Sequence, residues 1–341
     1  MKAKAIIDVI DAHGAGHPVR LIISGIPKLQ GKNQTEKMFF MRDNCDWIRT
    51  TALFEPRGYH GMMGGVLTEP TIPEAHAGIL FFDAVEYVPI SGALTMAVGK
   101  VLVETGVVPM EEPVTEVRLD TGVGLVKVYV GVKDGIAGEV TLENEASFAY
   151  EIGNKVNLPS FGEITYDIGY GAAWYAHVAA EDLGLKIELE NKDKLIDAGM
   201  EVMEALKDKK CIHPHHDYMT QITHMMIYEK EPRTDGYQRN EVIFGNRQFD
   251  RSPCGTGTCA MMAVRYAKGL QNIDDTWLTQ NMIGTRFSGK LVKKTQVEKY
   301  DAVVPQVTGN AFIFGMGKLI VDQEDPLKYG WAPDRPDLIG Q

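Results

Sequence analysis

The chain carries one short pattern twice, once in each half, and that repeat limits the folds open to it. "DRSPCGTGTCAMMAVRYAKG" occupies residues 250–269, and "PISGALTMAVGKVLVETG" begins at Pro89. Laid over each other, Ser91 falls on Cys254, Gly92 on Gly255 and Thr95 on Thr258, and each turn runs into an apolar stretch ending near a glycine. In the later copy Ala260, Met261, Ala263, Val264 and Ala267 recur at helical spacing, and Gly269 suits the stop. A turn plus helix repeated in this way predicts a pseudo-symmetric pair of domains. Two such helix mouths facing one cleft would offer a single ligand two side chains and two clusters of amides.

Cys254 therefore stands at the start of a helix, where unpaired N–H groups and roughly half a positive charge favour an anion. This placement predicts a thiol shifted down from about 8.5, giving a thiolate near neutral pH. The same amides suit a carboxylate or phosphate from outside. Most free cysteines are buried and inert. The second copy of the turn is what argues for more here.

Composition narrows the function. At 341 residues and 44% hydrophobic content, the chain exceeds the size at which one core stops growing, so two domains are expected. A net charge of -11 without a long basic run argues against nucleic acid as a partner. The start, "MKAKAIIDVIDAHGAGHP", lacks a secretory apolar region, and no segment reaches the roughly 18 uninterrupted apolar residues of a membrane span. A cytoplasmic protein with no membrane partner is expected. Cys45, Cys211, Cys254 and Cys259 form no CxxC pair and are too sparse for a disulfide scaffold or a thiolate zinc site. Nucleotide-binding glycine motifs are absent from the sequence.

Strand-like runs dominate elsewhere, among them "VRLIISGIP", "AGILFFDAVEYVPI", "TEVRLDTGVGLVKVYVGVKDG" and "DAVVPQVTGNAFIFGMGKLIVDQ". Residues 34–48 and 193–209 read as helices, and 273–281 as a short one. Many strands about a few helices predict an α+β architecture. In "CIHPHHDYMTQITH" the residues His213, His215, His216 and His224 suggest zinc, but Pro214 interrupts any helical ligand spacing, so no metal is expected.

"DRSPCGTGT", "FEPRGYHGMMGGVL" (54–67), "YDIGYGAAWYAHV" (166–178), "IGTRFSGK" (283–290) and "VTGNAFIFGMGKLIVDQEDPLKYGW" occur in this order. Together they make the chain resemble the proline racemase superfamily from about residue 5 to about 331. That superfamily includes proline racemase, hydroxyproline 2-epimerase and trans-3-hydroxy-L-proline dehydratase. The resemblance implies a diaminopimelate-epimerase-like fold of two similar α+β halves, each a curved sheet around a central helix, with no cofactor. It places residues 1–125 with 305–341 in one half and 126–304 in the other. It also implies a small imino or amino acid as partner, with a homodimer left open.

In such enzymes two cysteines at matching positions exchange the α-proton, and the second is matched by Cys254. The carry-over puts the carboxylate on the amides of Gly92, Ala93, Gly255 and Thr256, and Asp250 against the ring nitrogen. The first half departs from the pattern. "ISGALT" stands where "MCGH[GAN]T" is common, so Ser91 replaces the cysteine and Ala93 the histidine. A hydroxyl is a far weaker acid than a thiol, which argues against balanced two-thiol racemisation. Dehydration of trans-3-hydroxy-L-proline is favoured, with 2-epimerisation, racemisation or imino-acid binding without catalysis as alternatives.

Around these, His13 is expected to help build the cleft or to be structural, and Glu55 and Arg57 to form an ion pair beneath it. Trp174 and Tyr175 are expected either to wall the pocket or to pack a core. Cys259, about 140° further round the helix than Cys254, is expected to face away.

Overall fold

A computed structural model of the chain describes residues 2–332. The chain divides into two compact units, one from the N-terminal residues to Val140 together with the segment from Asn310, the other Thr141–Gly309. The division falls later than 125 and 305 because the strands after residue 125 stay packed on the first unit's central helix. A Cβ on Gly99 of that helix would lie 2.5 Å from Val128, and Lys100 Nζ donates to Ala137 O.

The first unit contains β1 (Ala3–Gly14), β2 (His17–Ser24), α1 (Gln34–Cys45), α2 (Trp47–Leu53), β3 (Met63–Thr68) and β4 (Ala77–Phe82). It continues with β5 (Tyr87–Val88), α3 (Gly92–Glu104), β6 (Val114–Thr121) and β7 (Gly124–Lys133). Strand β8 (Ile136–Glu143) carries the chain into the second unit, which begins with β9 (Ser147–Leu158), β10 (Gly162–Tyr170) and β11 (Trp174–Ala179). Then come α4 (Lys192–Leu206), β12 (His224–Tyr228), β13 (Gln238–Phe244), β14 (Gln248–Phe249) and α5 (Gly255–Ala267). The unit ends with β15 (Thr276–Gln280), β16 (Arg286–Val297) and β17 (Tyr300–Gly309), and β18 (Ala311–Asp322) returns to the first unit.

Pairing shows how far the repeat extends. In the first unit β1 runs antiparallel to β2, β2 parallel to β3, β3 antiparallel to β4, β4 antiparallel to β5 and parallel to β6, and β6 antiparallel to β7. The second unit repeats every step with β10, β11, β12, β13, β14, β15 and β16. Helices occupy matching crossovers, with α1 and α2 between β2 and β3, and α4 between β11 and β12. The central helices α3 and α5 join the strands on either side of the second parallel pairing, as a right-sized parallel connection requires. In the second unit β17 pairs with both β16 and β9, so its ladder closes on itself.

Both central helices are predominantly apolar on every face, with Lys100 in α3 and Arg265 in α5 as the charged residues before the last turn's end, which is the composition of a helix inside a core. Every residue from Gly92 to Val103 of α3 and from Gly255 to Val264 of α5 is buried. Glycines let the sheet close on α5: a Cβ at Gly171 would lie 2.3 Å from Thr256 O, and one at Gly289 would lie 2.7 Å from Met262 Sδ. The segment 273–281, expected to be a short helix, is instead mainly β15. Its Thr-Trp-Leu-Thr core is β-branched and aromatic, and pairing with β13 and β16 satisfies its backbone. Among the described residues no helix is long and apolar enough to cross a membrane.

Candidate active site

The turn before α5 is built from side chains that brace its backbone. Asp250 Oδ1 accepts from Ser252 N at 2.8 Å and from Ser252 Oγ at 2.9 Å, and Ser252 Oγ accepts from Cys254 N at 3.1 Å. Asn240 Nδ2 donates to Pro253 O at 2.6 Å, and Thr258 Oγ1 donates back to the same carbonyl at 3.2 Å. These contacts hold Cys254 at φ 64°, a conformation rarely adopted by a residue with a side chain and worth of order 1–3 kcal/mol of strain. The sulfur caps the helix, accepting from Gly257 N at 3.3 Å. The amides of Gly255 and Thr256 make no hydrogen bond to any described residue, as the first turn of a helix leaves them.

Tyr175, from β11, reaches this mouth. Its hydroxyl lies 3.4 Å from Cys254 Sγ and 2.7 Å from Thr256 Oγ1. Behind it, the Tyr175 ring packs 4.9 Å from His224, which is stacked on Phe244 at 5.6 Å. Trp174, its neighbour, turns the other way into the core with Phe148, Tyr150 and Tyr170, its indole donating to Met219 O. The two residues therefore divide the alternatives, Tyr175 at the site and Trp174 in the core.

Protonation at this mouth corrects the expectation of a depressed thiol. Burial pushes the Cys254 thiol up, Asp250 adds to the shift, and the hydrogen bonds from Tyr175, Gly257 and Thr256 offset only part of it. A dry surrounding disfavours the thiolate more than the helix terminus favours it, so the resting sulfur is protonated. Burial likewise pushes His224 down to about 4, leaving its imidazole neutral. Glu241, fully buried, is driven well up by burial and by Asp250, while its oxygens accept from Val242 N and Met282 N at 3.3 Å each. Cys259 is also buried, and desolvation holds it as a thiol.

The mouth of α3 has the same backbone and different side chains. Ser91 caps it, its Oγ accepting from Leu94 N at 3.5 Å, and Thr95 N donates to Ser91 O at 2.8 Å. The amides of Gly92 and Ala93 make no hydrogen bond to any described residue. The end of β1 presses on this turn, since a Cβ at Gly14 would lie 2.3 Å from Ala93 O. His13 is on that strand end, its Nδ1 accepting from Gly16 N and its ring 5.3 Å from Phe312. The expected Glu55–Arg57 pair does not form. Arg57 reaches Asp325 at 3.5 Å and donates to Leu327 O, because the C-terminal segment packs over this turn and supplies the acceptors.

The proline racemase family profile matches residues 9–332. The chain belongs to the proline racemase family. It is 39% identical to a proline racemase of Clostridioides difficile over 97% of this chain and 99% of that one. It is 35% identical to a trans-3-hydroxy-L-proline dehydratase of Burkholderia ambifaria, again over 97% of this chain and 99% of the other. A hydroxyproline epimerase from Agrobacterium vitis, solved with bound trans-4-hydroxy-L-proline, superposes with a TM-score of 0.92 at 30% identity, covering 100% of this chain and 98% of that one. The fold is the diaminopimelate-epimerase-like α+β class, and racemases, epimerases and dehydratases stand at similar distances from this family member.

The structure gathers Asp250, Cys254, Gly255 and Thr256 at one mouth and Ser91, Gly92 and Ala93 at the other. Sequence reasoning missed Ser252, Asn240 and Glu241, and weighed His224 only as a metal ligand. Only Ser252 had a local signal, an acid two residues before a serine ahead of proline, the pattern of a side-chain-braced turn.

Proposed function

We propose that this protein dehydrates trans-3-hydroxy-L-proline without a cofactor, using Cys254 as its one thiol base. The observation that carries the reading is the asymmetry of the caps, a sulfur at Cys254 against a hydroxyl at Ser91. Removing an α-proton calls for a base at the carbon and charge stabilisation at the carboxylate, where enolate character develops. The free amides of Gly255 and Thr256 are suited to the carboxylate.

The protonated resting thiol gives substrate a part in its own activation. A ring ammonium settling against Asp250 cancels the charge that adds to the effect of burial, and Cys254 then gives up its proton to solvent, its thiolate held beside Tyr175 and Gly257 N. The thiolate takes the proton from Cα, the electron pair of that bond forms Cα=Cβ, and the Cβ–O bond breaks. The hydroxide leaves as water with a proton delivered through Ser91 or a water molecule. The enamine tautomerises to a pyrroline carboxylate, so substrate becomes product plus water.

The test is incubation in deuterium oxide with trans-3-hydroxy-L-proline and, separately, 4-hydroxyproline. Pyrroline carboxylate from the first supports the dehydratase. Solvent deuterium entering 4-hydroxyproline with a change of optical rotation and no ultraviolet change replaces it with 2-epimerisation. That second reading is favoured by the ligand of the Agrobacterium vitis relative. Thermal stabilisation by either compound without deuterium incorporation reduces the protein to a binding function.

A further inference from the structure

A cavity of about 410 Å³ opens in the first unit, at the opposite end of α3 from Ser91. It is lined by Leu102 near the end of α3, Val107 just after it, Ile23 and Leu29 from the segment around and after β2, and Val66 of β3. With a rise of 1.5 Å per residue, the thirteen residues of α3 put it about 20 Å from the Ser91 mouth. Its size is within the range of small-molecule pockets, and its walls are mostly hydrocarbon.

One lining group does not suit an empty apolar cavity. Lys37 of α1 is only 7% exposed, and its Nζ donates to Glu69 O at 2.5 Å. An ammonium carries three donors, and no other acceptor for this one occurs among the described residues. Among the described residues no carboxylate lies within ion-pair distance of it. Asp120 and Glu69 both attract it from further off, Glu69 being itself a lining residue of the cavity, but Asp120 Oδ2 already accepts from Gln34 Nε2, Thr71 N, Thr71 Oγ1 and Ile72 N. Lys28, at the rim of the same cavity, adds a second positive charge. Buried charges are ordinarily paired at close range, so Lys37, held by a single carbonyl with its carboxylates further off, is suited to an anion entering through the cavity.

We propose that this cavity binds a small amphipathic monocarboxylate, its carboxylate on Lys37 and its hydrocarbon chain among Leu29, Val66 and Leu102. The site is separate from the reaction proposed for Cys254, and nothing in it depends on that chemistry. Octanoate and the uncharged octanol, titrated calorimetrically into the full-length protein, test it. Octanoate should bind with Kd below about 1 mM and at least tenfold more tightly than octanol. K37M should remove that difference while leaving octanol binding unchanged, and V107W, at the exposed rim, should weaken both ligands.

Absence of saturable binding, equal affinity for octanoate and octanol, or a preference for octanoate that survives in K37M overturns the proposal. So does a mass that rises with concentration while octanoate gives no heat, because the cavity is then covered by a second copy of the chain. Should K37M fail to fold, the wild-type comparison of acid with alcohol and the V107W titrations decide alone.

Discussion

The two helix mouths share one backbone plan and differ in nearly every side chain that touches it. Counting back from each cap, Asp250 and Ser252 correspond to Tyr87 and Pro89. Through the parallel registers Tyr175 corresponds to Val19 and His224 to Met63. Even the matching threonines diverge, since Thr258 Oγ1 donates to Pro253 O while the buried Thr95 Oγ1 has no hydrogen-bond partner among the described residues. The second mouth is therefore densely braced by side chains around its sulfur, and the first keeps chiefly a hydroxyl and two open amides.

The largest expected effect comes from removing the sulfur. C254A should lower α-proton exchange by about 10² to 10⁴-fold, the usual weight of a positioned acid–base group, while S91A lowers it far less. Equal losses in a deuterium-exchange assay would erase the proposed division of labour. Acidification should separate the two units next. Burial pushes His177 and His213 down to about 4, as it does His224, and all three are in the second unit. A histidine whose folded value is depressed binds more protons unfolded, so its stabilising contribution is intact above about 6.5 and is lost as pH falls toward about 4. For His177, whose ring nitrogens have no hydrogen-bond partner among the described residues and which is 1% exposed, this is on the order of 3 kcal/mol. Hydrogen exchange between pH 7 and 4.5 should show the second unit losing protection first, and H177L should flatten that dependence. Simultaneous loss in both units would contradict it.

S91C should bring the first mouth closer to the second. An increase of about tenfold or more in 2-epimerisation of 4-hydroxyproline, read by polarimetry, is expected if the hydroxyl limits the two-base reaction. The smallest effects concern the thiol itself, and they run in opposite directions. Asp250 raises it, so D250N should speed alkylation of Cys254 at pH 8. The Tyr175 hydrogen bond lowers it, so Y175F should slow alkylation by roughly fivefold, the equivalent of about 1 kcal/mol. Shifts of the same sign would show that neither contact sets the ionisation.

Much of this was legible in the chain because it is local. Small residues after Ser91 and Cys254, apolar spacing beyond them and a terminal glycine specify a capped helix within a single run. The strand after Gly269 was misread because a short Thr-Trp-Leu-Thr run is decided by its neighbours β13 and β16, not by its own period. Arg57 was assigned the wrong partner because Asp325 is 268 positions away in sequence and one side chain away in space.

By itself, then, the sequence determined the duplicated turn and helix, the identity of each cap and the family, all of which follow from residue order. Tertiary structure alone decided whether that sulfur is charged at rest. Ionisation depends on desolvation and on distant groups such as Tyr175, 79 positions from Cys254. Those quantities exist only once the strands have closed around α5, and they act against the local field of the helix.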